Sequence, residues 1–182
     1  LSRSSGSVVG SAHLISKVYF PRLIVPLAGV MAGLVDFAIS FAMLLIVMLF
    51  FGLTPTVGIV LVPAFVLLAM VTALGFGLWL SALHVRYRDI GYLLPFLVQI
   101  WMYLTPVVYG SSIVPERYRF LLSLNPMTGV VEGFRWALLG QSFGDGQFSL
   151  PLFALSVAIS LGVLVSGAFY FRTTERDFAD IV

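Results

Sequence analysis

Residues 23–51 read LIVPLAGVMAGLVDFAISFAMLLIVMLFF, a run of apolar residues with one charge, Asp36. A bilayer's hydrocarbon core is about 30 Å thick and takes roughly 20 helical residues to cross. This stretch is long enough, and three more follow at residues 57–83, 90–109 and 148–171, none of which holds a charge. Backbone groups in lipid must bond internally, so these runs are expected to be helices. The alternating ten-residue segments of a membrane β-barrel are not seen.

Composition agrees. The hydrophobic fraction is 60% and the charged fraction 10%, with a mean hydropathy of +1.06. A soluble domain carries about 25% charged residues. Net charge is only +2 and the basic residues are scattered, so nothing suggests a nucleic-acid footprint. The absence of cysteine excludes disulfides, thiolate metal sites and cysteine nucleophiles. The first residue is Leu, followed by a polar stretch, and no signal peptide is visible.

The connections set the topology. Residues 51–56, FGLTPT, form a tight Gly/Pro turn, and HVRYRD, residues 84–89, a compact charged one. Residues 110–147 are the one long connection. With Leu1 in the cytoplasm, Arg3, Lys17, Arg22, Arg86, Arg88, Arg172 and Arg176 all fall inside. Only Arg117, Arg119 and Arg135 fall outside, as the positive-inside bias prefers. Both the Leu1 end and the tail, residues 172–182, are then cytoplasmic.

The long connection contains NPMTGVVEGFRWALLG, residues 125–140. Asn-Pro is a break and helix-start signal, and Asn125 is a good N-cap. The apolar part is too short to span. Residues 113–140 are therefore expected to form a re-entrant helical hairpin, or two short helices, in the outer leaflet. At the other end, GSAHLISKVYF, residues 10–20, is mildly amphipathic and stops at Pro21. It reads as a short cytoplasmic helix. The fold expected is all-α and integral to the membrane: four transmembrane helices, this amphipathic helix and the re-entrant hairpin.

Few residues could carry chemistry. Asp36 lies midway along the first run, where an ionisable group costs several kcal/mol unless paired or hydrated. It is either a path-lining carboxylate or a helix-pairing one. Glu132 and Arg135, spaced i, i+3, share a helix face and form either a gate near the outer mouth or a local ion pair. Trp101, Tyr103, Tyr109, Tyr118, Phe134 and Trp136 fit an interfacial belt or a stacking surface for sugar rings, and Trp101 and Tyr103, well inside the third run, fit a belt less well. Gln99 and Thr105 add polar groups to the third run. Gly29 with Gly33, and Gly75 with Gly77, permit close helix approach. Pro63 and Pro95 are expected to kink their helices. There is no GxxxxGK[ST] phosphate loop, no HExxH and no cluster with metal-ligand spacing, so energy for transport would come from another subunit.

KVYFPR (residues 17–22), LVDF (34–37), HVRYRD (84–89), LTPVVY (104–109), NPMTGVVEGFRWALLG (125–140) and FRTTERDFADIV (171–182) together resemble the membrane subunit of ABC-2 type exporters. The likeness is to the branch that moves O-antigen, capsule and teichoic acid, and it covers essentially the whole chain, residues 1–182. Such permeases usually have six spans, so the resemblance implies a fragment supplying the last four. It implies that residues 10–20 are a coupling-type helix, with His13, Leu14, Lys17, Tyr19 and Phe20 touching a separate ABC ATPase subunit. It implies a translocation path holding Asp36, Gln99, Trp101 and Tyr103, and a gate of Asn125, Glu132, Arg135 and Trp136.

The resemblance further implies a second permease copy, a lipid-linked polysaccharide as substrate, contact with membrane lipid, and a bacterial inner-membrane location. No cofactor or metal is expected on this chain, and ATP hydrolysis falls to the partner. The alternatives are an ABC-2 exporter of small molecules or lipids, a membrane-embedded glycan or lipid transferase, and a non-catalytic scaffold.

Overall fold

A computed structural model describes residues 24–87, 89–143 and 149–174. The described residues are helical with no strand. Helix α1 is Ile24–Phe50, α2 Val62–Arg86, α3 Ile90–Leu104, α4 Glu116–Ser123, α5 Pro126–Phe143 and α6 Leu150–Thr174. Short 3-10 turns at Val57–Leu61 and Ser111–Ile113 precede α2 and α4. Three stretches are long and apolar enough to cross a membrane: Pro26–Phe50, Val57–Arg86 and Leu150–Thr174.

Each terminus has a local cause. Gly52 follows α1 with φ 72°, a left-handed conformation that costs glycine little. Its N–H donates to the Leu49 carbonyl at 3.0 Å, and the Leu53 N–H to the Met48 carbonyl at 2.9 Å. That is a Schellman closure of the helix's last carbonyls. Pro63 does not kink α2, contrary to expectation: it sits in the first turn, where no intrahelical bond needs its missing N–H. Pro95 does lie inside α3.

The third run departs furthest from the sequence expectation. Helix extends only to Leu104, not to residue 109. Pro106 disfavours α conformation at Thr105 and has no N–H to give, so the chain turns. Fifteen residues make about 22 Å of helix, short of a full hydrocarbon core.

The chain divides into two compact units. Among the described residues, the first comprises 24–35, 70–87, 89–100 and 161–174. Its core gathers Leu78, Ala82, Val85 and Phe171. Trp79 stacks on Tyr170 at 4.8 Å and donates its indole N–H to Ser166 Oγ at 3.2 Å. The close approach expected at Gly75 is present: a Cβ there would stand 2.8 Å from the Leu164 backbone nitrogen. At Gly33 a Cβ would meet nothing within 4 Å among the described residues of this chain.

The second unit comprises residues 36–69 and 101–160. Val62, Phe65, Leu68, Val130 and Ala137 form its core. Phe65 meets Phe153 edge-on at 5.4 Å and Phe134 at 5.9 Å. Phe37 of α1 reaches Phe134 at 5.7 Å. Helix α5 is thus surrounded by apolar side chains from α1, α2 and α6. Gly129 and Gly133 permit this closeness, because Cβ atoms on them would collide with Ser156 and with the Phe65 ring.

Candidate functional site

The polar groups of the second unit converge where α3 ends and α5 begins. Asn125 is the hub. It precedes Pro126, which occupies the first helical position, where proline's fixed φ suits the helix. The Asn125 side-chain oxygen accepts the Met127 N–H at 3.1 Å, an N-cap bond. The same oxygen accepts the Trp101 indole N–H at 3.1 Å. The Asn125 amide nitrogen donates to Thr105 Oγ1 at 2.8 Å, and that hydroxyl donates to the Trp101 carbonyl at 2.9 Å. Asn125 and Thr105 are both buried. Buried polar groups are costly unless paired, and these are mutually satisfied.

Nearly three helical turns further along α5, Arg135 makes a second tie. Its Nη1 meets Glu132 Oε1 at 3.1 Å. Its Nη2 donates to the carbonyls of Val107 and Tyr109, each at 3.1 Å. The guanidinium thereby balances the Glu132 charge and satisfies two carbonyls of the turn left non-helical by Pro106. Hydrogen bonds to charged groups contribute about 1.5–3 kcal/mol; part-exposure of this pair holds it to about 0.2–1 kcal/mol.

The far end of α5 is closed from outside. Gly140, with φ 67° and ψ −166°, breaks the helix. Thr56 Oγ1 then donates to the Ala137 carbonyl at 2.7 Å, and the Thr56 N–H reaches the Leu138 carbonyl at 3.4 Å. Helix ends leave such carbonyls without intrahelical partners. Beside them lies an open groove of about 630 Å³ lined by Thr56, Val57, Gly58, Leu61, Trp136 and Gly140.

The expected gate residues Asn125, Glu132, Arg135 and Trp136 therefore all lie at or on α5. Trp101, expected in a path, is half-buried and bonded to Asn125. Tyr103 is exposed. Residues two apart on a helix point to different sides, so Trp101 and Tyr103 do not share a face, whereas Trp101 and Thr105 do. Asp36 and Gln99 are exposed. His13, Leu14, Lys17, Tyr19 and Phe20 lie outside the described residues, as does the tail from residue 175.

Thr56, and the bonding roles of Thr105 and the Val107 and Tyr109 carbonyls, were not legible in sequence. The Thr-Pro pair at residues 105–106 and the GVVEG spacing of residues 129–133 were the available signals. GQSFG, residues 140–144, also spells the G-x-S-x-G pattern of hydrolase nucleophile elbows. Such an elbow is a strand-to-helix turn. Here the pattern starts at the Gly140 break in a helix, and no strand occurs among the described residues.

Long apolar helices define this chain as an α-helical, multi-pass membrane protein. Residues 7–139 match the family model described as ABC-2 type transporter, and the chain belongs to that family. A protein of Myxococcus xanthus named "O-antigen export system permease protein RfbA" is 30% identical over 171 residues, 93% of this chain and 64% of that protein. A protein of the same name from Klebsiella pneumoniae is 23% identical over 177 residues, 97% of this chain and 66% of that protein. The chain thus spans somewhat less than two thirds of the length of these relatives.

Proposed function

We propose that this chain is part of the permease of an ABC exporter that moves a lipid-linked polysaccharide across a bacterial inner membrane. The observation that carries the reading is the similarity of 93% of this chain to a protein named as an O-antigen export permease. ATP is hydrolysed on a separate subunit, and two permease copies frame the path. Both ends of the chain lie in the cytoplasm, which the distribution of Lys and Arg supports. Four crossings are made, with α3 and its turn completing the third.

In this reading α4 and α5 form the re-entrant outer gate. The buried Asn125 cluster and the Arg135 ties support it, because they let a polar helix start and a charged pair sit among apolar helices. Asp36, Gln99, Trp101 and Tyr103 are the residues proposed for the path. Exposure of Asp36, Gln99 and Tyr103 fits that role, whereas the bond of Trp101 to Asn125 fits the gate. Residues 10–20 couple the permease to the ATPase through His13, Leu14, Lys17, Tyr19 and Phe20.

The test is co-purification of the full-length parent with its ATPase subunit, comparing wild type with Tyr19→Ala/Phe20→Ala. Weakened co-elution and ATP turnover in the double variant support the coupling role. Failure of the wild type to associate with an ATPase would return the scaffold or the membrane enzyme to the front.

A further inference from the structure

We infer that the end of α3, the turn after it and the head of α5 form one cross-tied body that keeps its internal contacts when the outer gate opens. This rests on the gate reading proposed above and adds to it where the moving boundary lies.

Two independent ties join the same two segments. At one, Asn125 holds Trp101 at 3.1 Å and Thr105 at 2.8 Å while capping α5 through Met127 at 3.1 Å. At the other, Arg135 Nη2 holds the Val107 and Tyr109 carbonyls. Between the ties sits Pro106, fully buried. A hinge between α3 and α5 would break both ties together and strand the Asn125 amide, the Trp101 indole and two carbonyls. The Asn125–Thr105 bond is buried and the Trp101 and Tyr109 bonds are part-buried, and an unmade buried hydrogen bond is far more costly than the net gain of a made one. Movement of the whole body breaks none of them. The side chains of Val107 and Val108 stay exposed and outside the ties, so the body presents an apolar tip at the turn while its interior is locked. Trp101 is accordingly a positioning residue for the gate rather than a surface for sliding sugars.

The test uses the wild-type permease–ATPase complex in lipid nanodiscs. Amide hydrogen exchange is compared between nucleotide-free and vanadate-trapped states over the peptide containing Met127 and Thr128, whose N–H groups bond to Asn125. Unchanged protection there, with altered exchange elsewhere in the chain, is the expected result. Faster exchange at those two amides on trapping would overturn the inference. A second measurement exploits the absence of cysteine from this chain. Leu104→Cys/Leu124→Cys, exposed positions one residue before each tied side chain, is bridged by a thiol cross-linker, and glycan export is compared with the same protein left unbridged and shown to export. Equal export supports a locked body. Export lost on bridging and regained on release shows that the tie must open. Absence of export from wild type as well would count against the transport reading itself, a distinct outcome.

Discussion

Trp101 and Asn125, twenty-four residues apart, share a hydrogen bond of 3.1 Å from indole N–H to side-chain oxygen. That one oxygen also caps α5 through Met127. A single side chain therefore ties the end of α3, set by Pro106, to the start of α5.

Asn125→Ala removes the cap and leaves the Trp101 indole and the Thr105 hydroxyl short of partners. Loss of an N-cap costs about 0.5–2 kcal/mol, and each stranded buried group adds about 1–3 kcal/mol. Asn125→Asp keeps the accepting oxygen but replaces the donor to Thr105 with a buried carboxylate, which is costly without a charged partner. Thermal unfolding in detergent should rank wild type above both variants. Equal stability of Asn125→Ala and wild type would contradict the hub.

Arg135→Gln should be more damaging than Glu132→Gln. The first change removes one carboxylate and two carbonyl contacts, the second weakens only the pair. A double-mutant cycle isolates the pair, and part-exposure holds its coupling to about 0.2–1 kcal/mol. The carbonyl contacts account for the remaining difference between the single variants. Equal losses would show that the turn is not tied by Arg135.

Glycine positions give a graded series. Gly75→Ala forces a Cβ to 2.8 Å from backbone of Leu164, which cannot rotate away, and overpacking costs about 1–3 kcal/mol. Gly133→Ala meets the Phe65 ring at 2.5 Å, and a ring can tilt. Gly33→Ala meets nothing and gains up to about 1 kcal/mol of helix propensity. Unfolding midpoints should therefore rise in the order Gly75→Ala, Gly133→Ala, Gly33→Ala. A large loss at Gly33 would instead indicate contact with another chain.

Thr56→Val preserves shape and removes the 2.7 Å bond to the Ala137 carbonyl. The expected loss is about 1 kcal/mol. Thr56→Ser keeps the hydroxyl and should retain most of the stability. Denaturation of the two purified variants side by side separates the bond from the packing.

What sequence could foretell follows from the range of the forces involved. Helices long enough for lipid are a local property of residues 23–51, 57–83 and 148–171, and each corresponds to a long apolar helix. Asn125-Pro126 announces its own helix start, and Glu132 with Arg135 announces its own ion pair, because each partner lies within a turn. Trp101, well inside the third run, reads in sequence as a path aromatic, since the atom that claims its N–H lies twenty-four residues away. Arg135 likewise gives no hint that its second nitrogen serves carbonyls freed by Pro106. The early end of α3 was readable from Thr105-Pro106, but the apolar run through Tyr109 outweighed it. At Pro63 the opposite holds: the proline suggests a kink in sequence, and the first turn of α2 tolerates it.

The most direct test of transport is made in proteoliposomes holding the full-length permease, its ATPase subunit and a fluorescent lipid-linked polysaccharide on the outward-facing ATPase side. ATP should move the glycan into the lumen, protected from an added glycosidase, and a hydrolysis-deficient ATPase should abolish the movement. Glycan equally accessible to the glycosidase with and without ATP, in vesicles whose ATPase is turning over, would contradict the assignment as a polysaccharide exporter.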